Sequence, residues 1–204
     1  MATVESTRSH TALTGFVTDR ATGRPLGGAE VEVIAGPPAF RTRLGIRERQ
    51  HGAAWNGMAT RLDRTTSAAD GHFHLRDLPP GNYTLRAALP ALGSRYGAMR
   101  VKLVVGADGS AGTGVSLSLP PTLVRGRVLG RGDEPVALAE VRLRGSGEKT
   151  FTDRDGRFVL AGVETGERTV EVSARGYPAA RQTVRLPQPG WERTLEFRLA
   201  GDTP

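Results

Sequence analysis

Apolar and polar residues alternate along most of this chain. Ala29, Val31 and Val33 alternate with Glu30 and Glu32, and Phe73 and Leu75 with His72, His74 and Arg76. Tyr83, Leu85 and Ala87 continue the pattern, as do Val101, Leu103 and Val105, then Val115, Leu117 and Leu119. It returns at Val141 and Leu143, Phe158 and Leu160, Val170 and Val172, Val184 and Leu186, and at Leu195, Phe197 and Leu199. A period of two predicts strands with one buried and one wet face. Gly-Arg-Pro, Asp-Gly and Pro-Pro-Gly-Asn punctuate them at short intervals, as turns do. No amphipathic helix of ordinary length is evident.

The pattern is written twice. Leu13-Thr-Gly15-Phe-Val17 matches Val124-Arg-Gly126-Arg-Val128, and Pro25 through Val33 matches Pro135 through Leu143. Asp70-Gly71-His-Phe73-His-Leu75 matches Asp155-Gly156-Arg-Phe158-Val-Leu160. The early pairs lie 110–111 residues apart and the later ones 85, so the first copy holds about 25 extra residues between its second and third strands. About seven short strands per copy, each with one apolar face, bury a core only by stacking two sheets. The expectation is therefore all-β: two tandem antiparallel seven-stranded Greek-key-type β-sandwiches. They span 12–120, with a basic insertion at 37–65, and 121–200, with short tails at 1–11 and 201–204.

Composition narrows the chemistry. The chain has 204 residues and no cysteine, which excludes disulfides, thiol catalysis and thiolate metal sites. No apolar run is long enough to span a membrane as a helix. The start lacks the apolar stretch of a signal peptide, so a cytoplasmic protein is expected, or a component of a particle released from the cell. The net charge is +7, and its excess is concentrated in residues 37–65, where six Arg face Glu48 and Asp63. Elsewhere the signs nearly balance, which argues against the continuous cationic track that nucleic acid requires.

These residues resemble the carboxypeptidase regulatory-like family, whose domains have a transthyretin-like (prealbumin-like) sandwich. The first copy shows Gly15-Phe-Val17, Gly23-Arg-Pro25, Ala29-Glu-Val31-Glu-Val33, Ser67-Ala-Ala-Asp70-Gly71-His-Phe73-His-Leu75 and Pro80-Gly81-Asn-Tyr83-Thr-Leu85. The second keeps Gly126-Arg-Val128, Ala139-Glu-Val141, Thr152-Asp-Arg-Asp155-Gly156-Arg-Phe158-Val-Leu160 and Gly166, but has Thr165 and Arg168 where the first has Pro80 and Tyr83. The resemblance implies non-catalytic folding, docking or binding modules. Hydrolases and iron dioxygenases on similar sandwiches use a Tyr-Arg-Gly-Ser tail or a two-Tyr, two-His ligand set. This chain ends Leu199-Ala-Gly-Asp-Thr-Pro204, and Tyr83, Tyr96 and Tyr177 lack the spacing.

Residue by residue, the chemistry reads as structure. Asp70-Gly71 and Asp155-Gly156 are turns, with Gly at positive φ and Asp capping its own backbone. Asp153-Arg-Asp155-Gly156 lacks the remaining ligands of a calcium loop. His72 and His74 share a strand face and could chelate only with a third ligand such as His10 or Asp70; both are expected to be exposed. Gly106–Gly114 lacks the ending of a phosphate loop. Arg131-Gly132-Asp133 falls in a turn. No catalytic constellation, metal or cofactor is expected.

The asymmetric insertion is where function is expected. A segment this long either functions or stays unstructured. It is read as a sheet-extending hairpin, a segment that orders on a partner, or a solvated loop. Phe40, Arg41, Arg43, Arg47, Arg49, Trp55 and Arg61 are the candidate contacts, since Trp and Arg are enriched in binding hot spots. The leading expectation is a structural or adaptor protein docking to a protein partner or larger assembly through 37–65 and its strand edges. A carbohydrate-binding accessory module is the alternative, and it would need exposed aromatics from among Trp55, Tyr96 and Trp191.

Overall fold

Strands form where the alternation runs. The computed structural model describes residues 11–58, 61–106 and 114–200. In the first unit β1 (Thr11–Asp19), β2 (Glu30–Ala35), β3 (Arg64–Thr66), β4 (His72–Arg76), β5 (Gly81–Ala88), β6 (Met99–Val105) and β7 (Val115–Leu119) make two sheets, ordered β4-β1-β7 and β3-β2-β5-β6. The second unit has β8 (Leu123–Leu129), β9 (Glu140–Leu143), β10 (Lys149–Phe151), β11 (Arg157–Ala161), β12 (Gly166–Ala174), β13 (Tyr177–Leu186) and β14 (Glu192–Arg198). Its sheets are β11-β8-β14 and β10-β9-β12-β13, the same order again. The architecture is all-β, two seven-stranded sandwiches. Pairing is antiparallel except between the first and last strands of each unit, β1 with β7 and β8 with β14, which run parallel.

The inward positions are those the period selects. Val17, Val31, Phe73, Leu75, Tyr83, Leu85 and Leu117 are buried in the first unit, and Val128, Val141, Phe158, Leu160, Val170, Leu186 and Phe197 in the second. Both units solve the same polar problem in the same way. The buried Ser67 hydroxyl accepts from the Ala29 amide (2.9 Å) and donates to the Leu26 carbonyl (2.7 Å). Thr152 does so with Ala139 (2.8 Å) and Val136 (2.7 Å). Gly71 and Gly156 follow, at φ 82° and 72°. A Cβ on either would meet the Val17 or Val128 carbonyl at 2.6 and 2.5 Å, so the turn needs glycine twice over.

The carboxylates of these turns differ. The Asp70 carboxylate accepts from the His72 amide at 3.0 Å. In the second copy Asp153, not Asp155, accepts from the Asp155 and Arg157 amides, at 2.9 and 2.8 Å. His72 is half-buried rather than exposed, its ring 3.8 Å from that of Phe16; His74 is exposed. The second unit also takes in Leu92–Gly97, chain that the sequence reading placed in the first sandwich. There the Arg95 guanidinium pairs with Glu148 and donates to the Gly162 carbonyl, while the buried Thr122 hydroxyl donates to the Ser94 carbonyl. No helix among the described residues is long and apolar enough to cross a membrane.

Candidate functional site

The insertion contains a helix, α1 (Pro38–His51), followed by a 3-10 turn at Gly52–Gly57. This corrects the expectation of no helix, and of a sheet-extending hairpin. Its punctuation is orthodox. Pro38 opens the first turn, where a missing N–H costs nothing. Arg49 and His51 occupy the last turn, and Gly52, at φ 53°, closes it by donating its amide to the Glu48 carbonyl. Its interior is unusual: Phe40 is its one buried residue, and polar side chains surround the rest.

Two anchors hold this helix-bearing segment. Phe40 is 3% exposed and meets the Tyr83 ring edge-on, centroids 5.4 Å apart. The Tyr83 hydroxyl donates to the Pro79 carbonyl at 2.7 Å, and burial pushes the phenol's pKa up to about 12, against the opposing influence of Arg43. The second anchor is Trp55, 4% exposed in the 3-10 turn. The His51 ring stacks on it at 5.9 Å, and the Arg61 guanidinium lies 4.5 Å from its ring centre. That guanidinium is bidentate on the buried Asp63 carboxylate, at 2.8 and 2.6 Å. Asp63 in turn gives its carbonyl to the Val33 amide at 2.7 Å, tying the segment back to β2.

The candidate contacts therefore separate into two kinds. Phe40 and Trp55 are buried in their own unit: they seat the insertion, and present little surface to a partner. Arg61 is committed to Asp63 and Trp55. Arg41, Arg43, Arg47 and Arg49 are exposed along the helix. Arg43 reaches the Asp77 carbonyl at 3.4 Å. Burial of Trp55 also removes it from any flat aromatic platform, leaving the half-buried Tyr96 and Trp191, 40% exposed, in the second unit.

Beside the second anchor lies a cleft of about 550 Å³. Arg47 and His51 line it from the helix, and Trp55, Met58, Arg61 and Leu62 from the chain that follows. β3 contributes Arg64 and Thr65, β4 contributes His74, Leu75 and Arg76, and Asp77 adds the single carboxylate side chain. Arg64 is directed by the carbonyls of Asn56 (3.5 Å) and Met58 (3.4 Å). Among the described residues no three His, Cys, Asp or Glu side chains gather as a metal site; His10 lies outside them, as do 107–113 of the Gly-rich stretch. In the second unit Arg131–Asp133 is a 3-10 turn whose Asp133 carboxylate pairs with Arg198.

A profile of the carboxypeptidase regulatory-like domain matches residues 12–108 and again 123–200. No curated protein matches the chain. Similar solved structures include the Bacillus anthracis TIE protein, 15% identical over 93% of this chain and 33% of that one, with a TM-score of 0.37. The shaft pilin SpaA from Lactobacillus rhamnosus GG is 13% identical over 94% and 97%, at 0.38. The 3-chlorocatechol 1,2-dioxygenase from Rhodococcus opacus 1CP is 12% identical over 40% and 59%, at 0.32. This chain spans about a third of the length of the TIE protein. With both matches falling on the two seven-stranded units, the chain belongs to the carboxypeptidase regulatory-like domain family, in two consecutive copies.

Proposed function

We propose that this protein is a non-enzymatic adaptor that docks to a protein partner through the helix-bearing insertion of its first copy. The observation that carries the reading is the contrast between how the insertion is held and what it displays. A 14-residue helix is marginal in water by itself, and this one has no apolar stripe to fold against a core. It is instead fixed by two built anchors, Phe40 on Tyr83 and Trp55 under Arg61, so that a row of Arg side chains is held outward. The second copy has the same strand order with a short connection, Arg144–Lys149, so the sandwich does not need the helix to form.

The long edge of the second unit is the weaker candidate. β13, the ten-residue edge of the second unit's larger sheet, carries Pro178, Arg181 and Arg185, residues that discourage pairing with another chain. The test is capture of partners from native cell extract by the full chain and by the double variant Arg41→Glu, Arg49→Glu. Both positions are exposed, so folding is expected to be unchanged by circular dichroism. A partner recovered by the parent and lost by the variant supports helix docking. Equal recovery by both moves the contact elsewhere.

A further inference from the structure

We infer that the cleft beside α1 receives an extended acidic segment of a partner protein, its carboxylates pairing with Arg47 and Arg76 while its backbone runs along the open edge of β4. This rests on the docking reading above and names the chemistry of the partner at that site.

Charge is the first argument. Arg47, Arg61, Arg64 and Arg76, with His51 and His74, line the space, Asp77 is the one acidic residue of that lining, and Asp63, Glu32 and Glu48 act on Arg61 from beside it. Two of the arginines are already used, Arg61 by Asp63 and Arg64 by backbone carbonyls. The Arg47 and Arg76 side chains make no hydrogen bond or ion pair among the described residues. A guanidinium fork without a partner, in a concave site, matches a carboxylate.

The edges are the second argument, and they separate peptide from other anions. Among the described residues β4 is laddered only to β1, and β3 only to β2, so the cleft is bordered by two edge strands. An extended peptide uses such an edge through its main chain. Its side chains recur at the two-residue period at which β4 presents His74 and Arg76 outward. A sugar or a nucleobase would need an aromatic face to stack on. Trp55 offers none, because it is buried and Arg61 lies over its ring.

The probe is a fluorescein-labelled peptide of alternating Glu and Val, titrated by polarisation against the full chain. The same peptide with Lys for Glu, a backbone N-methylated version, and a heparin hexasaccharide serve as comparisons. Expected is saturable, salt-weakened binding of the Glu peptide, reduced about tenfold or more by Arg47→Glu with Arg76→Glu. Arg154→Glu with Arg175→Glu, an equal charge change on exposed residues of the second unit, leaves it unchanged. N-methylation weakens it as well, since the main chain is engaged. Absence of saturable binding overturns the proposal, as does an equal loss with Arg154→Glu and Arg175→Glu. Tighter binding of the hexasaccharide than of the peptide also overturns it, in favour of a sulfated glycan. Loss of partner capture with Arg41→Glu and Arg49→Glu, alongside no peptide binding, would retain helix docking and reject the acidic segment alone.

Discussion

Ser67 and Thr152 stand at equivalent places and do equivalent work. Each is a buried hydroxyl serving one amide and one carbonyl that the strand ladders leave over. Thr152→Val keeps the volume and strands the Ala139 amide, so a loss of about 1–3 kcal/mol is expected in urea denaturation. An unchanged midpoint would contradict the role. Glu171 supplies the pH dependence. It is buried on the second unit's larger sheet, where hydrogen bonds from Arg142 and then Arg181 hold its carboxyl below the usual carboxylate range. A depressed folded pKa gives stability that is present above the unfolded value and lost as pH falls through the folded one. The melting temperature of the parent should therefore fall on acidification through and below the carboxylate range. Glu171→Gln should start lower and fall less over the same titration. A parallel fall in both would remove Glu171 from the account.

The strands were legible because a sheet with one wet face writes its burial into the sequence at every second residue, as β2 and β4 do. The helix was not. Its apolar positions do not form a stripe, Gly45 interrupts its middle, and its one buried side chain, Phe40, has no apolar companion a turn away in the buried set. What the sequence did carry was punctuation, Pro37-Pro38 at one end and Gly52 at the other, and those are signals of loops as much as of helices. One further trace lay in the comparison of copies: Tyr83, where Phe40 docks, has Arg168 as its counterpart in the copy without a helix. Arg168 bonds locally instead, to the Glu164 and Thr165 carbonyls. This pairing of anchor and helix makes a prediction at the scale of the element. Phe40→Ala should cost about 3 kcal/mol and remove much of the helical circular dichroism. Tyr83→Phe, which keeps the ring and loses only the hydroxyl's bond to Pro79, should cost about 1 kcal/mol and keep the helix. Equal helical content in Phe40→Ala and the parent would show that the anchor is elsewhere.

At the scale of the molecule, the two family copies share strand order, most core positions and the turn glycines, and their largest difference is one inserted element with an excess of positive charge. The repeated features explain folding, and the unrepeated one is the proposed docking element. The candidate residues of this segment have mixed roles, because a Trp or Phe in a sequence does not reveal whether it faces its own core or another protein. Burial divides them, with Phe40 and Trp55 inward and Arg41, Arg43, Arg47 and Arg49 outward. The most direct measurement is quantitative capture from native extract by the full chain and by a chain in which residues 37–65 are replaced by Gly-Ser-Gly, with β-sheet content checked in both. The account predicts one multi-subunit assembly recovered by the parent and absent with the replacement. Recovery of the same assembly by both chains would contradict it.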